Sequence, residues 1–170
     1  ADFVTYILKD QPAPPKYFAV MKHLNKADRP LLVEVPKLAE LNQKEIDNAI
    51  KNGLIVIDAR PKAVSSQGFI SGSFLIENMK TFSTFAGSIV DYQNQIILIA
   101  EENQIEDLMR KLMRIGMDNI YGYITNPSEQ NLALQNVKTI DIDTFKSYLG
   151  NKNVQKIDVR TENEYKSGHI

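Results

Sequence analysis

The strongest constraint on the fold of this 170-residue chain is an internal repeat at an offset of 100 residues. The segment IVIDARPKAVSSQGFI, residues 55–70, aligns with QKIDVRTENEYKSGHI, residues 155–170. The identical pairs are Ile57 and Ile157, Asp58 and Asp158, Arg60 and Arg160, Gly68 and Gly168, and Ile70 and Ile170. Such self-similarity is typical of a recurring structural unit. We therefore expect one unit around residue 58 and the start of a second copy around residue 158.

A short helical pattern precedes each copy. In the first, Asn42 is the expected N-cap of QKEIDNAIKNG, which closes at Gly53. In the second, Asp143 is the expected N-cap of TFKSYLG, which closes at Gly150. Each copy is therefore predicted to run in the order helix, strand, loop.

The rest of the first copy alternates strands with helices. The expected strands are SFLIE, QIILIA and NIYGYI, and the expected helices are TFSTFAGSIV and NQIEDLMRKLMRIG. QIILIA reads as a buried strand because its apolar run is continuous and rich in Ile. Asn103, with Glu106 three residues later, predicts a capping box at the start of the last helix. This alternation predicts an α/β fold with a mostly parallel sheet flanked by helices.

Composition and charge exclude several classes of partner. The chain has 20 basic and 21 acidic residues, mixed along the sequence, and a formal net charge of -1. Nucleic acid and anionic membrane surfaces are therefore not expected as partners. No apolar run approaches the roughly 20 residues that span a bilayer. The first residues, ADFVTYILKD, lack a signal-peptide pattern, and we expect a cytoplasmic location.

Thiol and metal chemistry have few candidate ligands. The chain has no cysteine and only two histidines, His23 and His169. A usual zinc or iron site needs three or four converging ligands, so neither a metal nor a resident cofactor is expected within these residues. His23 lies on an amphipathic helical pattern, which favours a surface position. The methionines at 109, 113 and 117 recur every four residues, which favours core filling over a soft-metal site.

The expected place for chemistry is the crevice at the carboxyl ends of the parallel strands. The turn from Ala100 into the helix near Asn103 brings free backbone N–H groups together with the positive end of a helix dipole. A nucleophile or an anion would be stabilised there. The sequence places Ala100, Glu101 and Glu102 at this turn instead.

The repeated segment carries a recognisable pattern: a strand ending in Asp-x-Arg, then an acidic residue, then a Gly-His-Ile turn. It resembles the rhodanese-like sulfurtransferase family. The first copy matches loosely, with Val64 at the acidic position and Phe69 in place of His. The second copy matches more closely, at Asp158, Arg160, Glu164, Gly168, His169 and Ile170.

This resemblance implies that the first copy is inactive. Members of the family form a persulfide on a cysteine held by backbone N–H groups, and Ala100 stands where that cysteine is expected. Residues 100–103, Ala100, Glu101, Glu102 and Asn103, would then form a degenerate active-site loop, with two carboxylates that repel anions. Ala100 lies 42 residues after Asp58. The cysteine of the second copy is accordingly expected about 42 residues after Asp158, beyond Ile170.

The first residues resemble another fold. FVTYILKDQPAPPKYFAVMKHLN, residues 3–25, is similar to the tail of a metallo-β-lactamase-fold domain that is followed by rhodanese domains. Pro12, Pro14 and Pro15 predict an extended entry into a helix over residues 16–25. The resemblance implies three parts: a metallo-β-lactamase-like tail at 1–34, a rhodanese-like domain without its cysteine at 35–135, and the truncated start of a second one at 136–170.

Together these resemblances imply part of a bacterial fusion enzyme of sulfur metabolism. Its upstream domain would be a persulfide dioxygenase or thiol-ester hydrolase holding iron or zinc, and a terminal rhodanese domain would transfer sulfur. The complete domain in this chain would be structural or docking in role, with the neighbouring domains as its partners and self-association left open. Two alternatives stand beside this reading. One is a regulatory or protein-binding module on a rhodanese fold, and the other is a phosphatase-like relative, against which the absence of cysteine argues.

The polar residues of the repeat favour structure over catalysis. At a strand end, Asp58 and Arg60 are expected to pair with each other or with backbone groups and so hold the turn. The same is expected of Asp158 and Arg160. His169 is expected to serve packing and hydrogen bonding within its turn rather than as a general base.

Overall fold

The computed structural model of the chain describes residues 2–9, 14–29 and 31–169. It divides into two compact units, Ala1–Val137 and Lys138–Ile170, and each is described by itself. Of the residues singled out above, Pro12 and Ile170 lie outside the described residues. None of the helices within the described ranges has the length and apolarity that crossing a membrane requires.

A parallel sheet forms the centre of the first unit. Its strands are β1 (Ile55–Asp58), β3 (Phe74–Leu75), β4 (Ile96–Ile99) and β5 (Ile120–Ile124), in the spatial order β3-β1-β4-β5. Each neighbouring pair is parallel. Two short strands, β2 (Phe69–Ile70) and β6 (Leu134–Gln135), form a separate antiparallel pair.

Six helices are described in the first unit. They are α1 (Asp2–Leu8), α2 (Tyr17–Leu24), α3 (Gln43–Lys51), α4 (Lys62–Ser65), α5 (Phe82–Ile89) and α6 (Glu102–Met113). Helix α5 connects β3 to β4, and α6 connects β4 to β5, which are the crossovers that parallel strands need. The predicted α/β fold with a mostly parallel sheet flanked by helices is confirmed.

The strand pattern divides the core between the two faces of the sheet. Along β4, Ile96 and Leu98 face one apolar cluster, and Ile97 and Ile99 face the other. The first cluster includes buried residues of α5 and α6, and the second includes buried residues of α3. Because both faces are covered, a strand in this position has to be apolar throughout. This explains the continuous run of isoleucine and leucine.

The predicted helix caps have different outcomes. Asn42 caps α3 and forms a capping box with Glu45, as its position predicted. The predicted capping box of Asn103 is wrong. Helix α6 starts at Glu102 after Glu101 as N-cap, without a side-chain cap, so Asn103 already lies in its first turn. Glu106 instead accepts a hydrogen bond from Arg110, and the distance from Arg110 Nη2 to Glu106 Oε1 is 2.6 Å.

Helix α2 confirms the helix predicted over residues 16–25 and packs on the sheet domain. Tyr17 and Met21 lie against the cluster beneath α5 and α6. The fit depends on Gly87, because a Cβ there would lie 2.8 Å from Tyr17 Cδ1. Helix α2 thus belongs to the first compact unit by contact, while the assignment of residues 1–34 to a neighbouring domain stays a prediction.

The second unit holds two helices, α7 (Ile142–Tyr148) and α8 (Glu162–Ser167). The N-cap of α7 is Asp141, whose carboxylate accepts a hydrogen bond from Thr144 N at 2.8 Å. The prediction of Asp143 as the cap is therefore wrong by two residues. Asp143 lies in the first turn and pairs with Lys146 at 3.2 Å. No strand is formed within residues 138–169.

The close approach of β5 to the segment before α3 can be tested at Gly122. A Cβ on this buried glycine would lie 2.6 Å from Leu41 Cδ2 and 3.0 Å from the Ala39 carbonyl oxygen. We expect Gly122→Ala to lower the free energy of unfolding by about 1–3 kcal/mol, because the neighbours must move to admit a methyl group. Urea unfolding followed by circular dichroism measures the change. Gly150→Ala is the control, since no heavy atom lies within 4 Å of its Cβ position, and an equal loss there would contradict the packing argument.

Candidate functional site

The carboxyl ends of the central strands bring the predicted site segments side by side. The chain leaves β1 at Asp58 and β4 at Ile99, and two backbone hydrogen bonds extend the pairing beyond the strands. Ala59 N donates to the Ile99 oxygen at 2.8 Å, and Ala100 N donates to the Ile124 oxygen at 3.2 Å. Asp58, Ala59 and Ala100 are therefore fixed on adjacent strand ends. This is the edge at which ligands bind in open parallel sheets.

Asp58 and Arg60 form a buried ion pair at this edge. Arg60 Nε donates to Asp58 Oδ1 at 2.9 Å, and Arg60 Nη2 donates to Asp58 Oδ2 at 2.6 Å. The Asp58 side chain is fully buried, and that of Arg60 is 7% exposed. Arg60 Nη2 also donates to the Gly68 carbonyl at 2.7 Å, across the turn that contains α4. Together these bonds hold the turn in place, and both charged groups are hydrogen-bonded.

The second unit repeats the same arrangement at its surface. Arg160 Nη2 lies 2.6 Å from Asp158 Oδ2 and 3.0 Å from the Gly168 carbonyl. Here the side chains are 44% and 29% exposed for Arg160 and Asp158. The hydrogen-bonded guanidinium lowers the pKa of Asp158 to about 2. The pair therefore stabilises the folded state fully at any pH above the pKa that Asp158 has in the unfolded chain. This stabilisation is lost as the pH falls towards 2, where the carboxylate of the folded state becomes protonated.

The remaining predicted residues of the second copy lie around this pair. Glu164 accepts hydrogen bonds from Thr161 Oγ1 at 2.6 Å and from Thr161 N at 2.9 Å, and the bond to Thr161 lowers the pKa of Glu164. The ring of His169 stacks on that of Tyr165, with centroids 3.8 Å apart. Nδ1 of His169 lies 2.9 Å from the Tyr165 carbonyl oxygen. These contacts are internal to the turn.

Ala100 is buried and faces the core. Its residue exposure is zero, and it belongs to the cluster formed beneath α5 and α6, with Ala59, Phe82 and Ile105. Its backbone N–H is already bonded to Ile124. A sulfur atom built on this Cβ would therefore enter an apolar core, where no backbone donor of Ala100 itself remains to stabilise it.

The loop after Ala100 is two residues shorter than predicted. Glu101 is the N-cap of α6, and Glu102 and Asn103 are already helical. All three residues are exposed. The carboxylates of Glu101 and Glu102 thus stand at the positive end of the helix dipole, where negative charge is favourable.

Burial raises the pKa of Tyr123, and the charges of Glu102 and Glu40 raise it further.

Sequence reasoning missed one polar cluster at this edge, formed by Asn78, Asp107 and Lys111. Lys111 Nζ lies 2.6 Å from Asn78 Oδ1 and 2.8 Å from Asp107 Oδ2, and the hydrogen bond to Lys111 lowers the pKa of Asp107. The cluster ties the loop between β3 and α5 to α6. The i,i+4 spacing of Asp107 and Lys111 was the available signal for their pairing. Nothing in the sequence pointed to Asn78 as the third member.

The described residues contain no group of three or more His, Asp or Glu side chains that could hold a metal ion. Asp58, the buried carboxylate at the strand ends, is bonded to Arg60 on both oxygens. The arrangement is thus suited to holding backbone segments in place.

Comparisons with known proteins place this fold among rhodanese-like domains. No protein-family model and no curated protein sequence match the chain. A crystal structure of a metallo-beta-lactamase from Staphylococcus aureus is 28% identical over 72% of this chain, with a TM-score of 0.61. A crystal structure of an Anabaena protein is 12% identical over 64% of this chain and its own whole length, with a TM-score of 0.50. A solution structure from the same Anabaena protein, described as a rhodanese-like domain, is 11% identical over 72% of this chain and 91% of its own, with a TM-score of 0.49.

The Staphylococcus aureus protein is much longer than the matched region. The chain spans about a third of its length, since the match covers 34% of it. The fold described here is thus rhodanese-like and is similar to part of a protein named for another fold, the metallo-β-lactamase fold.

The two copies of the Asp–Arg pair offer a matched test of burial. We expect Asp58→Asn to lower the free energy of unfolding by about 3–5 kcal/mol, because it leaves the Arg60 guanidinium buried without a counter-charge. Asp158→Asn removes the same bonds where water screens the charges, so the stability of the second unit, to which Asp158 belongs, should change little. Urea titration of both variants measures this. Equal losses in the two would contradict burial as the cause.

A thiol placed at residue 100 tests whether the site can be restored. We expect the cysteine of Ala100→Cys to react slowly with a disulfide reagent, because burial raises thiol pKa and blocks access. Ser71→Cys is the control, since Ser71 is exposed and the chain has no other cysteine. Both should react equally fast in denaturant. Fast native reaction at residue 100, with sulfur transfer from thiosulfate, would show that a working cradle survives.

Proposed function

We propose that this chain is part of a multidomain protein of sulfur metabolism, in which the complete rhodanese-like unit has a structural or docking role. The observation that carries the proposal is the environment of Ala100. It stands at the expected cysteine position, yet its side chain faces the core, and helix α6 begins two residues later. The residues that remain hold the strand ends and offer no sulfur carrier, because the chain has no cysteine.

The second unit supports a further rhodanese-like domain at the end of this chain. Ile157 and Val159 are 72% and 92% exposed, whereas Ile57 and Ala59 at the matching positions are buried. In the first unit, Ile57 pairs with Phe74 and with Leu98 on its two sides. The 100-residue offset places the equivalent partners near residues 174 and 198, after Ile170. In this proposal those strands cover the exposed residues, and the active cysteine follows near residue 200.

The upstream part of the proposal concerns a metallo-β-lactamase-fold domain. The similarity to a Staphylococcus aureus protein of that name, which is about three times as long as the matched region, supports such a domain upstream, with residues 1–34 as its tail. Iron or zinc would be bound there. Its activity is proposed to be persulfide oxidation or thiol-ester hydrolysis in a bacterial cytoplasm.

A second candidate function is a protein-binding module that acts without any neighbouring catalytic domain. It is favoured by one observation, the exposed carboxylates of Glu101 and Glu102 at the start of α6, where active members of the fold have their catalytic loop. Such a module would bind its target as the 170-residue chain alone.

Sulfur transfer from thiosulfate to cyanide separates these functions. We expect no turnover by the 170-residue chain, and turnover by the natural full-length polypeptide. Replacing the cysteine expected near residue 200 with serine should abolish that turnover, because a thiol must carry the sulfur. The matched control is the same replacement at any other cysteine of the full-length protein. Turnover by the 170-residue chain that is lost in Glu101→Gln would overturn the proposed inactivity of the first domain.

A further inference from the structure

A groove lies between the segment at residues 33–38 and helix α6, and it is here called the α6 groove. Its volume is 710 Å³, which falls within the range of small-molecule sites, roughly 300–1,000 Å³. Both walls carry apolar side chains: Val35 and Leu38 from the segment, and Ile105 and Met109 from α6. The groove can therefore hold the apolar part of a ligand.

Tyr123 lines the same groove and presents an unpaired hydroxyl. The residue is 9% exposed and belongs to the apolar cluster beneath α5 and α6. Its backbone is fully bonded, because its N–H donates to the Ala39 oxygen at 3.1 Å and its carbonyl accepts from Leu41 N at 2.8 Å. Its hydroxyl forms no hydrogen bond with the residues that the structure describes. A hydroxyl of a buried side chain without a partner indicates that a polar group from outside the chain bonds to it.

The charge around this hydroxyl is negative. Glu102 lines the groove at the start of α6, and Glu40 pairs with Tyr123 at the edge of the sheet. Burial raises the pKa of Tyr123, the charges of both carboxylates raise it further, and no cationic side chain of the described residues lowers it. The N-terminus of α6 contributes only about half a positive charge, which is less than the two carboxylates supply. A cation is therefore favoured at the hydroxyl.

The other charged residues of the groove balance one another. Arg110 donates to Glu106 Oε1 from Nε at 2.9 Å and from Nη2 at 2.6 Å, so these two charges are paired. Glu34 and Lys37 line the opposite wall with opposite signs. The net charge of the lining is therefore that of Glu102, at the Tyr123 end.

We propose that the α6 groove binds a small organic cation, an apolar chain that ends in a primary ammonium group. The ammonium group donates to the Tyr123 hydroxyl oxygen and to the Glu102 carboxylate, and the chain lies against Val35, Leu38 and Met109. An ammonium group suits this end because it carries three donors and a compact charge, whereas both polar partners can accept. The site uses no sulfur chemistry and does not depend on the proposed function.

Nuclear magnetic resonance titration of the 15N-labelled 170-residue chain with n-pentylamine tests the proposal. We expect saturable shifts of the amides of residues 102–109 and of Tyr123. Glu102→Gln should weaken binding about fivefold, because it removes the charge that faces the ammonium group. Tyr123→Phe should also weaken it about fivefold, and should leave urea unfolding unchanged because the hydroxyl has no partner in the chain. Asp91→Asn is the matched control, since it removes an exposed carboxylate outside the groove and should leave binding unchanged.

Pentan-1-ol and sodium pentanoate separate charge recognition from simple apolar binding. At equal ionic strength we expect the alcohol to bind at least about fivefold more weakly than the amine, and the carboxylate to bind more weakly still. Shifts with the amine that grow without saturation would overturn the site. Equal binding of amine and alcohol would overturn its selectivity for a cation, as would unchanged amine binding in both Glu102→Gln and Tyr123→Phe. If one of these variants unfolds, the other still decides.

Discussion

The fold depends on the burial of β4 on both of its faces. Ile96, Ile97, Leu98, Ile99 and Ala100 are all at most 1% exposed, so the strand needs neighbours on each side and helices above and below. β1 and β5 supply the neighbours, α5 and α6 cover one face, and α3 covers the other. The burial of β4 also determines the surroundings of Ala100 in the candidate site. Because Ala100 continues the alternation of β4 by one residue, its methyl group packs beside Leu98 and Ile96 in the core.

The Asp–Arg pair shows how one sequence motif serves in two environments. In the first unit the pair is buried, and the bond from Arg60 to the Gly68 carbonyl satisfies a further guanidinium donor. A charge pair in such a place is tolerated only when its hydrogen bonds are complete. In the second unit the same bonds form at nearly the same lengths on an exposed surface. The local sequence alone therefore determines the geometry of the turn, and the surrounding sheet determines how much stability the pair contributes.

The sheet and its crossovers could be predicted because continuous apolar runs indicate buried strands and periodic apolar residues indicate the buried face of a helix. QIILIA became β4, NIYGYI became β5, and the cap at Asn42 formed as expected. The start of α6 was mispredicted because Glu101 adopts the extended N-cap conformation without a side-chain bond, whereas the prediction chose Asn103, a stronger capping residue two positions later. The partnership of Asn78 with Lys111 spans 33 residues, and no local pattern reports a contact of that range.

The position of α2 shows why a boundary drawn from sequence resemblance differs from one drawn from contacts. Residues 3–25 resemble the tail of a preceding domain, yet Tyr17 and Leu24 lie on Gly87 and Gly116 of the rhodanese-like unit. Side chains at either glycine would exclude the helix, so the unit itself is shaped to receive it. Contacts thus assign α2 to the rhodanese-like unit, because its first and last residues occupy two positions that a side chain would fill.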